Sequence, residues 1–209
     1  VINDLGQPLL DLTVDNFVIS GELADIAEIV HVENITVEDV PISAVLVIDT
    51  STSMEGEPFA RAKEAATLFV ETLSEGDYVA IIIFDSSARL IQDYTDDKEL
   101  LLSAIDKLPY GGVTALYDAG LLAVEVAGQS PTPRRVVVML SDGAEYGGAS
   151  SAERETALQS AHINGVTVYT IGLGWGADRT YLEELSLGTN AAHYESPSPK
   201  ELPPIYAGL

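Results

Sequence analysis

The chain has 209 residues, 33 of them acidic and 10 basic, which gives a formal charge of −23 and excludes nucleic acid as a partner, since phosphate contacts need a cationic face. Direct binding to anionic lipid is disfavoured for the same reason. With no cysteine and three histidines (His31, His162 and His193), disulfide, thiolate and multi-imidazole zinc chemistry also fall away.

Residues 1–40 read as a short β-rich segment. Asp4-Leu5-Gly6-Gln7-Pro8 is a turn, and Phe17-Val18-Ile19 and Ile29-Val30-His31-Val32 are strand-like. Composition shifts near Val40-Pro41, so residues 41–209 form a second unit. Ala44 to Ile48 is a continuous apolar run ending at Asp49, as expected of a parallel strand buried on both faces. Pro58 opens a helix whose stripe is Phe59, Ala62, Ala66, Phe69 and Leu73. Tyr78 to Phe84 is a second buried strand, 88–92 a short edge strand and 98–108 a helix. A largely apolar helix is expected over 115–127, a strand over 135–140, and a helix over 152–163 stopped by Asn164-Gly165. A strand over 166–171, a helix over 178–187 stopped by Gly188, a short strand over 192–194 and a last helix from Pro199 complete the series.

Strands alternating with helices imply right-handed crossovers and an α/β, Rossmann-like, doubly wound fold in three layers. Its mostly parallel central sheet carries helices on both faces. Ligands of such sheets bind beyond the carboxyl ends of the strands, at the switch point. Three loops are expected there: Asp49-Thr50-Ser51-Thr52-Ser53, Gly111-Gly112-Val113-Thr114, and Ser141-Asp142-Gly143. They offer two carboxylates and three hydroxyls, an all-oxygen set that suits a hard cation. Mg²⁺ fits small hydroxyl ligands backed by carboxylates better than Ca²⁺ does. Turn and helix-capping chemistry favours the same residue types, but three separate loops would have to match by accident. Asp85-Ser86-Ser87 reads as a turn, Arg134-Arg135 as a solvated strand start, and His193 as a packing residue.

Asp49-Thr-Ser51-Thr-Ser53, Thr114 after Gly-Gly, and Asp142 in Ser-Asp-Gly together resemble the metal-ion-dependent adhesion site of von Willebrand factor type A (VWA) domains, bacterial exported type. Later stretches (Thr170 to Gly174, Leu182 to Leu185, His193-Tyr194) are similar too, so the resemblance covers roughly 42–209. It implies the VWA fold and a metal set of Asp49, Ser51, Ser53, Thr114 and Asp142. Ser51 and Ser53 would coordinate directly and the two aspartates mostly through water. It further implies Mg²⁺ as cofactor, with Mn²⁺ or Ca²⁺ as substitutes, and a partner protein that presents an Asp or Glu to the ion. Tyr110, Glu145, Tyr146 and Trp175 are expected to rim the site, where aromatic side chains favour partner contact.

The expected function is therefore metal-dependent protein binding or adhesion, without catalysis, in an extracellular or cell-surface setting as part of a longer protein. Two alternatives compete. An aspartyl phosphotransferase also uses a strand-end Asp with Mg²⁺, but it needs a second carboxylate two residues on, where this chain has Ser51. An intracellular VWA partner of an ATPase machine would keep the fold and change the setting.

Overall fold

The computed structural model describes residues 12–20, 27–30 and 40–196. Contacts divide the chain into Val1–Val40 and Pro41–Leu209. In the first unit, Val14–Asn16 forms one 3-10 turn; Thr13 N donates to the Asn16 side chain at 2.7 Å. Phe17–Ser20 and Ala27–Val30 take no regular structure, so Phe17-Val18-Ile19 and the described part of the second stretch are not strands. Short β-prone runs need a paired neighbour to become strands, and the described residues supply none.

In the second unit, β1 (Ile42–Asp49) is buried along nearly its whole length. It is flanked by β2 (Tyr78–Phe84) and β4 (Arg134–Ser141), both parallel to it. β3 (Ala88–Thr95) pairs antiparallel with β2, while β5 (Thr167–Leu173) and β6 (His193–Ser196) extend the parallel side. The order β3-β2-β1-β4-β5-β6 places the reversal between β1 and β4. That junction is where an open α/β sheet forms its crevice.

Period-two alternation sorts the strand residues into two cores. Ala44, Leu46, Ile48, Ile81 and Ile83 pack with α1 (Glu57–Thr72) and α2 (Lys98–Asp106). Val45, Val47, Ala80, Ile82 and Phe84 pack with α3 (Leu116–Gly128), α4 (Thr156–Asn164) and α5 (Arg179–Gly188). α1 buries Ala62, Ala65, Ala66, Phe69 and Val70, with Phe59 and Leu73 at the margin. Burial of a side chain such as Phe69 contributes about 1.5–3 kcal/mol. The helices thus form the two outer layers of the expected α/β sandwich. Among the described residues, no helix is long and apolar enough to cross a membrane.

Some boundaries differ from the sequence reading. α4 starts at Thr156 rather than near 152, because Ser151 N and Ala152 N are held by the Asp118 carboxylate at 2.9 and 2.8 Å. α4 does stop at Gly165, whose φ of +62° is the left-handed cap that glycine adopts without penalty. Gly188 is still helical; the left-handed residue is Asn190, at φ +59°. The last helix expected from Pro199 lies outside the described residues.

Candidate functional site

Asp49 ends β1 and is fully buried. One carboxylate oxygen, Oδ1, accepts from Ser51 N at 2.9 Å and Ser51 Oγ at 2.6 Å; the other, Oδ2, accepts from Ser141 Oγ at 2.7 Å. Ser53 Oγ lies 2.9 Å from Ser51 Oγ and donates to Asp142 Oδ1 at 2.7 Å. The line Asp49–Ser51–Ser53–Asp142 therefore has three short contacts and two hydroxyl hydrogens. Burial pushes the Asp49 carboxyl up to about 6 against the serine hydrogen bonds that lower it, and burial raises Asp142 as well.

Thr114 is 6 % exposed and joins through a glycine. A Cβ at Gly143 would lie 3.1 Å from Thr114 Oγ1 and 3.7 Å from Ser53 Oγ, so a hydrogen at that position lets the three loops close together. The loops are tied by their backbones. Gly111 N donates to Thr50 O at 2.7 Å, Thr52 Oγ1 to Gly112 O at 2.9 Å, and Tyr146 N to Thr114 O at 3.0 Å. Gly112 has φ +84°, and a Cβ there would meet Ser86 Oγ at 2.7 Å. Both facts demand glycine.

All five residues expected to act together, Asp49, Ser51, Ser53, Thr114 and Asp142, thus lie at one edge of the sheet. The expected cofactor is a different matter. Among the described residues, no group of three or more His, Cys, Asp or Glu side chains is placed to hold a metal ion. This overturns the expectation of Mg²⁺, or of Mn²⁺ or Ca²⁺ in its place. The physical reason is a shortage of free anionic ligands. Among the described residues only two carboxylates reach the cluster, and both accept hydrogen bonds from its hydroxyls. Asp85, the strand-end acid of β2, is bound to Arg89 at 2.7 Å.

The expected rim residues divide. Tyr110, Tyr146 and Trp175 are 55 %, 65 % and 86 % exposed. Trp175 stands 5.1 Å from the Arg179 guanidinium, which also pairs with Glu195 at 2.8 Å. Glu145 turns inward. Its carboxylate accepts from Leu116 N at 2.8 Å, Ser150 N at 2.7 Å and Ser150 Oγ at 2.8 Å. α3 has no side-chain cap of its own at Ala115, so Glu145 satisfies its first N–H groups from across the loop and complements its dipole. Sequence reasoning missed this role, and it assigned none to Ser141. The signal for Ser141 was available: a buried strand end facing Asp49 needs a donor. For Glu145, only the fold brings residue 145 to the start of α3. Ser51, two residues after Asp49, spends its hydroxyl on Asp49 itself and supplies no second carboxylate, so the acid–base pair of aspartyl phosphotransfer is not built here.

A profile of the von Willebrand factor type A domain matches residues 44–207. A protein from Synechocystis sp. is 27 % identical over 163 residues, covering 76 % of this chain and 39 % of its own. Among solved structures, a von Willebrand factor type A protein from Catenulispora acidiphila aligns with a TM-score of 0.73 at 20 % identity, over 81 % of this chain and 42 % of that one. The von Willebrand factor domain of the type V pili tip protein Mfa5 from Porphyromonas gingivalis aligns with a TM-score of 0.66 at 15 % identity, over 81 % and 93 %. At these identities the structural likeness concerns the fold. The chain spans between 18 % and 58 % of the length of the first curated relatives it matches.

Proposed function

Because the chain belongs to the von Willebrand factor type A domain family, we propose that it is a protein-binding module whose partner docks on the carboxyl edge of the sheet. The contact centre is the cluster of Asp49, Ser51, Ser53, Thr114 and Asp142, and the flanks are Tyr110, Tyr146 and Trp175. One observation carries this reading: three loops fastened to one another leave large aromatic side chains exposed around a polar centre. Aromatic anchors on a fixed scaffold are what a protein interface uses for most of its affinity. The expected Asp or Glu on the partner depended on an intervening cation, and it is not carried forward. An exported or cell-surface setting is part of the proposal, supported by the likeness to a pili tip domain.

The test compares proteins captured from the surface fraction of the source cells by the wild type, by Tyr146→Arg and by Ile163→Arg. Ile163 is 84 % exposed at the end of α4, where the strands begin. A species kept by Ile163→Arg and lost by Tyr146→Arg supports docking at the carboxyl edge. Loss with Ile163→Arg and retention by Tyr146→Arg would refute it.

A further inference from the structure

We propose that β3 accepts an extended, cationic segment of another protein as an added strand, on a face separate from the carboxyl-edge cluster. Among the described residues, β3 hydrogen-bonds to β2 alone and forms one end of the sheet. Such an edge offers a row of backbone donors and acceptors to an incoming strand.

The stretch on offer is Ala88–Gln92, in regular register with β2 over Ala88–Leu90 and shifted by one residue between Leu90 and Gln92. Beyond it the ladder with β2 is shifted again, and the strand satisfies its own backbone: Tyr94 N donates to Asp93 Oδ1 at 2.8 Å and Gln92 Nε2 to Asp93 O at 3.0 Å. Five residues span about 17 Å, enough for a short added strand.

Two hollows lie between this stretch and α3. One hollow, about 280 Å³, lies between Ala88 and the pair Leu121 and Leu122. A second, about 200 Å³, lies between Leu90, Tyr94 and Val126. Alternate side chains of an added strand would enter these hollows, whose linings mix apolar and acidic residues. Leu90 and Ile91 are 39 % and 38 % exposed on the strand itself.

Charge selects the occupant. Asp118 and Glu125 line the first hollow and Asp93 the second, and neither hollow is lined by a Lys or Arg. The cation on β3, Arg89, is engaged with Asp85 through both guanidinium nitrogens at 3.0 and 2.7 Å. A segment bearing Lys or Arg at positions between its apolar residues complements this rim. A second copy of this chain does not, since each copy carries a formal charge of −23.

The probe is a ten-residue peptide of alternating Lys and Val, titrated into isotopically labelled protein and followed by amide NMR. The expected result is shift changes and slowed hydrogen exchange centred on Ala88–Gln92, with no response to a Glu–Val peptide. Asp93→Lys with Glu125→Lys should weaken binding by about tenfold, whereas the same charge change at Glu153→Lys with Glu183→Lys should cost less than about threefold. Shifts scattered over the acidic surface, equal weakening by the two charge variants, or concentration-dependent pairing of the free protein through β3 would each overturn the proposal. The wild-type shift map decides the matter even if a variant fails to fold.

Discussion

Ser53 and Asp142, 89 positions apart in the chain, are joined by a 2.7 Å hydrogen bond that fastens the loop after β1 to the loop after β4. The bond closes the junction at which the strand order reverses. Ser53→Ala removes it from a partly hydrated site, so the loss should be about 1 kcal/mol, a fall in melting temperature of roughly 2–4 °C. Thermal unfolding followed by circular dichroism checks this. An unchanged midpoint would mean that the Ser141–Asp49 hydrogen bond and the ties through the Gly111–Thr114 loop hold the two loops without it.

Gly120 on α3 is closely approached by Tyr181 of α5 and Ala157 of α4 in the second core. A Cβ there would collide with the Tyr181 hydroxyl and lie 3.4 Å from Ala157 Cβ. Tyr181 is 2 % exposed, stacks edge-on against Tyr117 at 4.9 Å and has no hydrogen-bond partner for its buried hydroxyl. Gly120→Ala should therefore cost about 1–3 kcal/mol. Adding Tyr181→Phe should recover part of that loss, since it removes the atom in the way. Denaturant midpoints of the single and double variants measure the recovery.

Asp85 and Arg89 give a pH dependence of definite sign. The Arg89 guanidinium hydrogen-bonded to Asp85 holds its carboxyl below the usual carboxylate range. A group whose folded value is depressed contributes stability that is complete above its unfolded value and is lost as pH falls through the folded one. The difference in stability between wild type and Asp85→Asn should thus be largest at neutral pH and shrink below about pH 4, near the unfolded value of Asp. A difference that grows on acidification would contradict the pairing.

Added salt should stabilise the domain. Arg61 pairs with Glu64, Arg89 with Asp85, Arg154 with Asp178 and Glu184, and Arg179 with Glu195. The surplus of acids therefore repels itself. Screening that shortens from about 30 Å at 0.01 M to about 3 Å at 1 M salt relieves this repulsion. The melting temperature should rise steadily over that range of sodium chloride. A fall would show that the ion pairs outweigh the surplus.

The layers and the central strands were legible in the sequence because Ala44 to Ile48 and Tyr78 to Phe84 are apolar without interruption, which marks strands covered on both faces. The positions that converge were legible too, since strand ends in such a sheet share one edge. What the sequence hid was how side chains spend their hydrogen bonds. Glu145 looks like a free surface acid and is instead the cap of α3. The two aspartates look like metal ligands, whereas the fold commits both to serines and, among the described residues, brings no third acid to them. The start of α4 was misplaced for a similar reason, because Asp118 claims the N–H groups of Ser151 and Ala152.

Docking at the carboxyl edge is tested most directly by site-specific photo-crosslinking in the source cells. A photoreactive phenylalanine analogue replaces Trp175 in one strain and Ile163 in another, two positions of nearly equal exposure, 86 % and 84 %, at opposite ends of the strands. A discrete protein adduct from position 175 and none from 163 is the expected result. An adduct from 163 with none from 175 would contradict it.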